Sequence, residues 1–142
     1  MPDRSSIRIL IIDDDVEYAG VLRMHLAAAG YVAEVAEDAI EGGKALLARP
    51  PALVLCDIGM PYLNGLEFMS LMRTDAHSAM IPVVFISGRS DASTMARAVE
   101  LGAADFLIKP VTREQLLQTI EACLQNGGRR AVPPNVAFPP VV

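Results

Sequence analysis

The chain has 142 residues, enough for one domain with a single buried core and too few for two. Its residues are 52% hydrophobic and 20% charged, which excludes a disordered composition, and its net charge of -5 excludes the Lys/Arg footprint of a nucleic-acid surface. No charged segment leads into an apolar run at the start, and no apolar run approaches membrane-spanning length, so a cytoplasmic protein without a membrane partner is expected.

Residues 7–12 are apolar apart from Arg8 and predict a strand that ends in Asp13-Asp14-Asp15. That acidic run can cap a following helix, because Asp accepts hydrogen bonds from the free N–H groups of a first turn. Tyr18, Val21, Leu22, Leu26 and Ala29 recur at helical spacing, and Gly30 fits a left-handed stop. Residues 31–35 predict a second strand. Asp38 opens a helix with Ile40, Gly43, Leu46 and Leu47 assigned to one face, and Pro50-Pro51 closes it.

Leu53-Val54-Leu55-Cys56 shows no period-two alternation, so it predicts a strand buried on both faces, delivering Asp57 at its end. Gly59 and Pro61 turn the chain away, and Asn64-Gly65 is a turn signal. Leu66, Met69 and Met72 line the next helix. Residues 83–86 predict a fourth strand, stopped by Ser87-Gly88, and Asp91 caps a helix carrying Met95, Ala98 and Val99 with Gly102 past its end. A fifth strand at 105–108 leads to Lys109-Pro110. Thr112-x-x-Gln115 then reads as a capping box for a helix presenting Leu116, Ile120, Cys123 and Leu124.

Five strands alternating with five helices imply an α/β fold with a doubly wound parallel sheet. Cys56 and Cys123 fall in an apolar strand and on an apolar helix face, and read as packing thiols. His25 and His77 belong to no cluster and read as surface residues. From Gly127 the chain becomes Pro- and Gly-rich without apolar period. The division expected is a domain over 1–126 and a flexible tail or linker over 127–142.

In a parallel sheet, ligands bind beyond the carboxyl ends of the strands. The predicted strand ends bring Asp13 and Asp14, Asp57, Ser87 with Gly88, and Lys109 to that edge. Three carboxylates in one crevice repel each other unless a cation offsets them, and a hard divalent ion with oxygen ligands, Mg²⁺, suits them. A hydroxyl and an ammonium add the hydrogen bond and charge that a phosphoryl group needs. Together these groups describe phosphoryl transfer onto an aspartate.

The chain resembles the receiver domains of two-component response regulators, chemotaxis regulators among them. The matching motifs are Ile11-Ile12-Asp13-Asp14-Asp15, Asp57-Ile58-Gly59-Met60-Pro61 with Asn64-Gly65 after it, Ser87-Gly88, and Phe106-Leu107-Ile108-Lys109-Pro110. The resemblance covers residues 7–125 and implies a flavodoxin-like sheet of strand order 2-1-3-4-5. It implies that Asp57 is the phosphoacceptor, taking its phosphoryl group from a sensor histidine kinase or a histidine phosphotransfer protein. Asp13, Asp14, Asp57 and the carbonyl of Gly59 would hold Mg²⁺, with Mn²⁺ able to stand in. Lys109 and Ser87, with Gly88 beside it, would bind the phosphoryl oxygens, and Lys109-Pro110 would be a cis peptide. Ser87 and Phe106 would form the switch, while Gly59 and Arg89 would modulate hydrolysis.

The resemblance implies a phosphoprotein switch, with at most self-phosphorylation and dephosphorylation activity. Its output would be read by a downstream protein, or a second copy, on the face of the fourth helix, fifth strand and fifth helix. Phe106 often stands as Tyr and Ser87 as Thr in this family, so this chain lacks a phenolic hydroxyl at the switch. A phosphatase with an aspartyl-phosphate intermediate is a second reading, but it wants a carboxylate two residues past the nucleophile, where this chain has Gly59. A phosphorylation-independent module of the same fold is a third, yet none of the acidic or lysine groups has been lost.

Overall fold

The computed structural model describes residues 4–88 and 91–125. Arg89 and the segment 127–142 lie outside the described residues. The elements run β1 (Arg8–Ile12), α1 (Val16–Ala28), β2 (Val32–Ala36), α2 (Ala39–Ala48), β3 (Leu53–Asp57), α3 (Gly65–Thr74), β4 (Val83–Ser87), α4 (Ala92–Glu100), β5 (Asp105–Ile108) and α5 (Arg113–Gln125). All strand pairs are parallel, and the sheet order is β2-β1-β3-β4-β5. Both match the sequence reading.

Strand alternation divides the core into two. Leu10, Ile12, Val54, Cys56, Val83, Phe85 and Phe106 face one way, against α2, α3 and α4. Ile9, Ile11, Leu53, Leu55, Val84 and Ile86 face the other way, against α1 and α5. Every residue of β3 and β4 is buried, as the unbroken apolar runs demand of strands covered on both faces. Cys56 and Cys123 are both buried and belong to different clusters, so each fills space as a thiol.

The expected caps form. Asp15, Asp38 and Asp91 accept from Tyr18, Glu41 and Thr94 backbone N–H groups, and Thr112 and Gln115 make a reciprocal pair before α5. Gly30 and Gly102 adopt φ of 97° and 83° after α1 and α4, the left-handed stops that their positions suggested. Asn64-Gly65 differs from its reading as a turn. Asn64 is the N-cap of α3 and forms a capping box with Glu67, while Gly65 is the first helical residue.

Helix faces differ from the sequence reading where small residues make the contact. On α2 the buried residues are Ala39, Gly42 and Leu46, whereas Ile40 and Leu47 are 64% and 73% exposed. A Cβ on Gly42 would meet the Ile12 side chain, so at that point α2 approaches the sheet too closely for a side chain, while Leu46 one turn later packs into the core. On α1, Ala19 is buried with Leu22 and Leu26, and Val21 lies off that face at 48% exposure. On α3, Phe68 joins Met69 and Met72 in the core, while Leu66 is only partly buried. The second strand begins at Val32, with Tyr31 buried just before it.

Gly65 ties fold to function. A Cβ there would collide with the carbonyl of Asp57, so only glycine lets α3 start against the end of β3. Gly65→Ala is expected to lower stability by about 1–3 kcal/mol, the range for overpacking, in urea unfolding. An unchanged midpoint would show that the two segments separate freely. Tyr62 in the preceding loop is 96% exposed at φ 67°, a region that suits Asn better. Tyr62→Asn is expected to raise stability by about 0.5–1 kcal/mol.

Candidate phosphoryl-transfer site

Asp13 and Lys109 lie just beyond β1 and β5, and Asp57 is the last residue of β3. Ile12 pairs with Cys56, so the following residues, Asp13 and Asp57, come side by side. Asp13 N–H also bonds the Ala36 carbonyl, and Lys109 N–H bonds the Ser87 carbonyl, so both residues extend the hydrogen bonding past the strand ends. Asp13 and Asp57 are buried, at 2% and 7% exposure, whereas Asp14 is exposed.

Carboxylate oxygens of Asp13, Asp14 and Asp57 lie within 4.8 Å of one another. Lys109 Nζ is 3.0 Å from Asp13 Oδ2 and 3.5 Å from Asp57 Oδ1. The Lys109–Pro110 peptide bond is cis. Burial first, and then the charge of Asp13, push the Asp57 carboxyl up to about 6, against the opposing pull of Lys109. Burial disfavours the Lys109 ammonium, but its hydrogen bond to Asp13 and the charges of Asp57 and Asp13 outweigh that and hold its pKa above the ordinary value. The thiol of Cys56 is pushed up by burial and by Asp57, and it donates to the Asp57 carbonyl at 3.3 Å, so it is a neutral neighbour and not a nucleophile.

On its other side Asp57 fronts a cleft of about 560 Å³ lined by Gly59, Met60, Asn64, Ser87, Gly88 and Thr94. A Cβ on Gly59 or Gly88 would meet nothing, so neither glycine's neighbours narrow this opening. Ser87 is 3% exposed at the end of β4. Phe106 is 8% exposed, its ring 6.4 Å from that of Phe85. The structure therefore gathers Asp13, Asp14, Asp57 and Lys109 into one ionic group and puts Gly59, Ser87 and Gly88 along the adjoining cleft. Phe106 sits in the core below, and Arg89 falls outside the described residues.

The donor set fits a hard divalent cation: three carboxylates converge, one of them exposed, and a single lysine does not neutralise them. Among the described residues no other group of three or more His, Cys, Asp or Glu side chains converges in this way.

A family model described as the response regulator receiver domain matches residues 9–121. The chain belongs to that family. It is 36% identical over 122 residues to response regulator MprA of Mycobacterium ulcerans, covering 85% of this chain and 51% of that protein. It is 31% identical over 122 residues to the DNA-binding dual master transcriptional regulator RpaA of Synechocystis, covering 86% of this chain and 51% of that one. A CheY-like receiver domain from Methanospirillum hungatei superposes with a TM-score of 0.80 at 26% identity, covering 85% of this chain and 95% of the other. The receiver domain thus spans about half the length of the relatives MprA and RpaA. Among its described residues no helix is long and apolar enough to cross a membrane.

Sequence reading missed one residue of the receiver's site. Tyr18 was assigned to the apolar face of α1, yet its ring lies under Lys109 Nζ, 4.7 Å from the ring centroid, and its hydroxyl accepts the Val111 N–H at 3.0 Å. Nothing in the spacing signals a partner 93 residues away.

A raised carboxyl pKa in the folded state means that the native protein binds a proton more readily than the unfolded chain does. Stability therefore falls as pH rises from about 4 through about 6 in the absence of metal. Asp57→Asn removes that dependence. In urea unfolding with a chelator the variant is expected to exceed wild type by about 1–2 kcal/mol at pH 8, with the gap closing towards pH 4. A variant no more stable than wild type at pH 8 would contradict the charge strain assigned to Asp57.

Proposed function

We propose that this receiver domain takes a phosphoryl group onto Asp57 from a phosphohistidine of a sensor histidine kinase or a histidine phosphotransfer protein, in the cytoplasm. The observation that carries this reading is the Asp57 carboxylate at the tip of β3, held 3.5 Å from Lys109 Nζ within the cluster of Asp13 and Asp14. An Asp57 oxygen attacks phosphorus as the bond to the histidine nitrogen breaks, and the imidazole leaves with the electron pair and picks up a proton. Lys109 is already paired with Asp57 and Asp13, so its ammonium needs only a short swing to meet a phosphoryl oxygen. The Ser87 hydroxyl, on the cleft side, is the donor for a second oxygen.

Asp13, Asp14, Asp57 and the carbonyl of Gly59 would hold Mg²⁺, or Mn²⁺ in its place, which when bound supplies positive charge against the phosphoryl oxygens. Gly59 and Arg89 are assigned to tuning hydrolysis. The chemistry is limited to the domain's own phosphorylation and dephosphorylation, and the domain is a switch without a metabolic substrate.

The acyl phosphate biases a two-state equilibrium because it interacts with Ser87 and Lys109 better in one state than in the other. Phe106 is the readout: its ring is already buried against Phe85, so activation raises the occupancy of an inward position that the fold accommodates. The face of α4, β5 and α5 is the surface that a downstream protein or a second copy reads. RpaA is named as DNA-binding, but its name describes a protein about twice the length. We assign no nucleic-acid contact to the acidic domain over 1–126, with 127–142 as its tail or linker.

Phosphoramidate or acetyl phosphate with Mg²⁺ is expected to add one phosphoryl group to wild type, read by intact mass. Asp57→Ala should take none, and Lys109→Ala should label at least tenfold more slowly. Equal labelling of Asp57→Ala and wild type would overturn the assignment.

A further inference from the structure

Tyr18 touches the chain on both sides of Pro110. Its ring carries the Lys109 ammonium at 4.7 Å from the centroid, and its hydroxyl accepts the Val111 N–H at 3.0 Å. Proline has no N–H, so Val111 offers the first amide donor after Lys109, and Tyr18 takes it. The base of Tyr18 is anchored to the acidic residues. Its own N–H bonds Asp15 Oδ1 at 3.1 Å, and Asp15 N–H bonds Asp13 Oδ1 at 2.9 Å. Lys109 Nζ closes the circuit on Asp13 Oδ2 at 3.0 Å. An aliphatic residue could fill the same half-buried position on α1, but it could neither face a cation with a π surface nor accept an amide hydrogen.

We propose that Tyr18 is a positioning residue: it fixes the β5–α5 connection through Val111 and restricts Lys109 to the space between Asp13 and Asp57. The proposal rests on the phosphoacceptor reading of Asp57. A lysine on a flexible four-carbon stem loses side-chain freedom when it meets a phosphoryl oxygen, and a ring that already confines it lowers that loss. The cation–π contact confines the ammonium, and the hydroxyl confines the backbone that bears it.

Two substitutions separate these roles. Tyr18→Leu removes the ring and the hydroxyl, and Tyr18→Phe removes the hydroxyl alone. With phosphoramidate and saturating Mg²⁺, Tyr18→Leu is expected to label Asp57 about fivefold more slowly than wild type, the size of one partly exposed cation–π contact. Its half-saturating Mg²⁺ concentration should stay unchanged, because all three carboxylates remain. Tyr18→Phe should keep at least half of the wild-type rate, while its Val111 amide exchanges with solvent at least tenfold faster. In the unphosphorylated protein, the upfield ring-current shift of the Lys109 ε-methylene protons should persist in Tyr18→Phe and vanish in Tyr18→Leu.

A Tyr18→Leu protein that labels at the wild-type rate would overturn the proposal, and so would one whose deficit is removed by more Mg²⁺. Tyr18→Phe falling as low as Tyr18→Leu would overturn the role of the ring. Wild type that takes no label would instead sink the phosphoacceptor reading, and the rate claim with it. The amide-exchange and ring-current readouts need no phosphoryl group, so they show which of the two readings has failed.

Discussion

Two buried carboxylates share one lysine at the carboxyl edge of this sheet. Two like charges about 5 Å apart repel by roughly 3 kcal/mol at an effective dielectric near 20, and burial adds several more for each ion. Lys109, within 3.5 Å of both, attracts each by roughly 5 kcal/mol on the same scale. That attraction exceeds the mutual repulsion but not the repulsion and burial together, which is why the Asp57 carboxyl still sits near pH 6. The fold thus holds a site short of positive charge, and a site of that kind favours a cation.

The rest of the architecture serves to keep that deficit in place. β1, β3 and β5 end within two residues of one level, and period-two alternation turns Asp13, Asp57 and Lys109 towards the same side. Gly65 lets α3 begin against the Asp57 carbonyl, and the capping box of Asn64 and Glu67 fixes where that helix starts. β3 and β4, buried throughout, give Asp57 a rigid support, while its neighbours Gly59 and Gly88 leave the adjoining cleft open. Precision comes from strands, and access comes from glycines.

Most of this was legible in the sequence because strand ends are marked by abrupt changes of chemistry. Apolar runs stop at Asp13, Asp57, Ser87 and Lys109, and in a parallel sheet all such stops fall on one edge. The caps were legible for a related reason, since an Asp or Thr before a helical run has few other tasks. Helix faces were read less well. Hydropathy ranks Ile40 and Leu47 above Ala39 and Gly42, but the buried face of α2 is Ala39, Gly42 and Leu46, and a Cβ at Gly42 would meet Ile12. Asn64-Gly65 is a turn by composition and a cap by context. The side chain of Tyr18 carries no local signal, because its contacts with Lys109 and Val111 lie more than 90 residues along the chain.

Family membership and site geometry point the same way, from independent observations: a match over residues 9–121 on one hand, and convergent acidic groups with a lysine on the other. The claim that joins them is that the acidic cluster is built to receive a divalent cation. Its most direct test is the thermal unfolding midpoint at pH 7 with and without millimolar Mg²⁺, in wild type and in an Asp14→Asn, Asp57→Asn double variant. The account predicts that Mg²⁺ raises the wild-type midpoint in a concentration-dependent way and leaves the double variant unmoved. A wild-type midpoint indifferent to Mg²⁺, or an equal shift in both proteins, would contradict it.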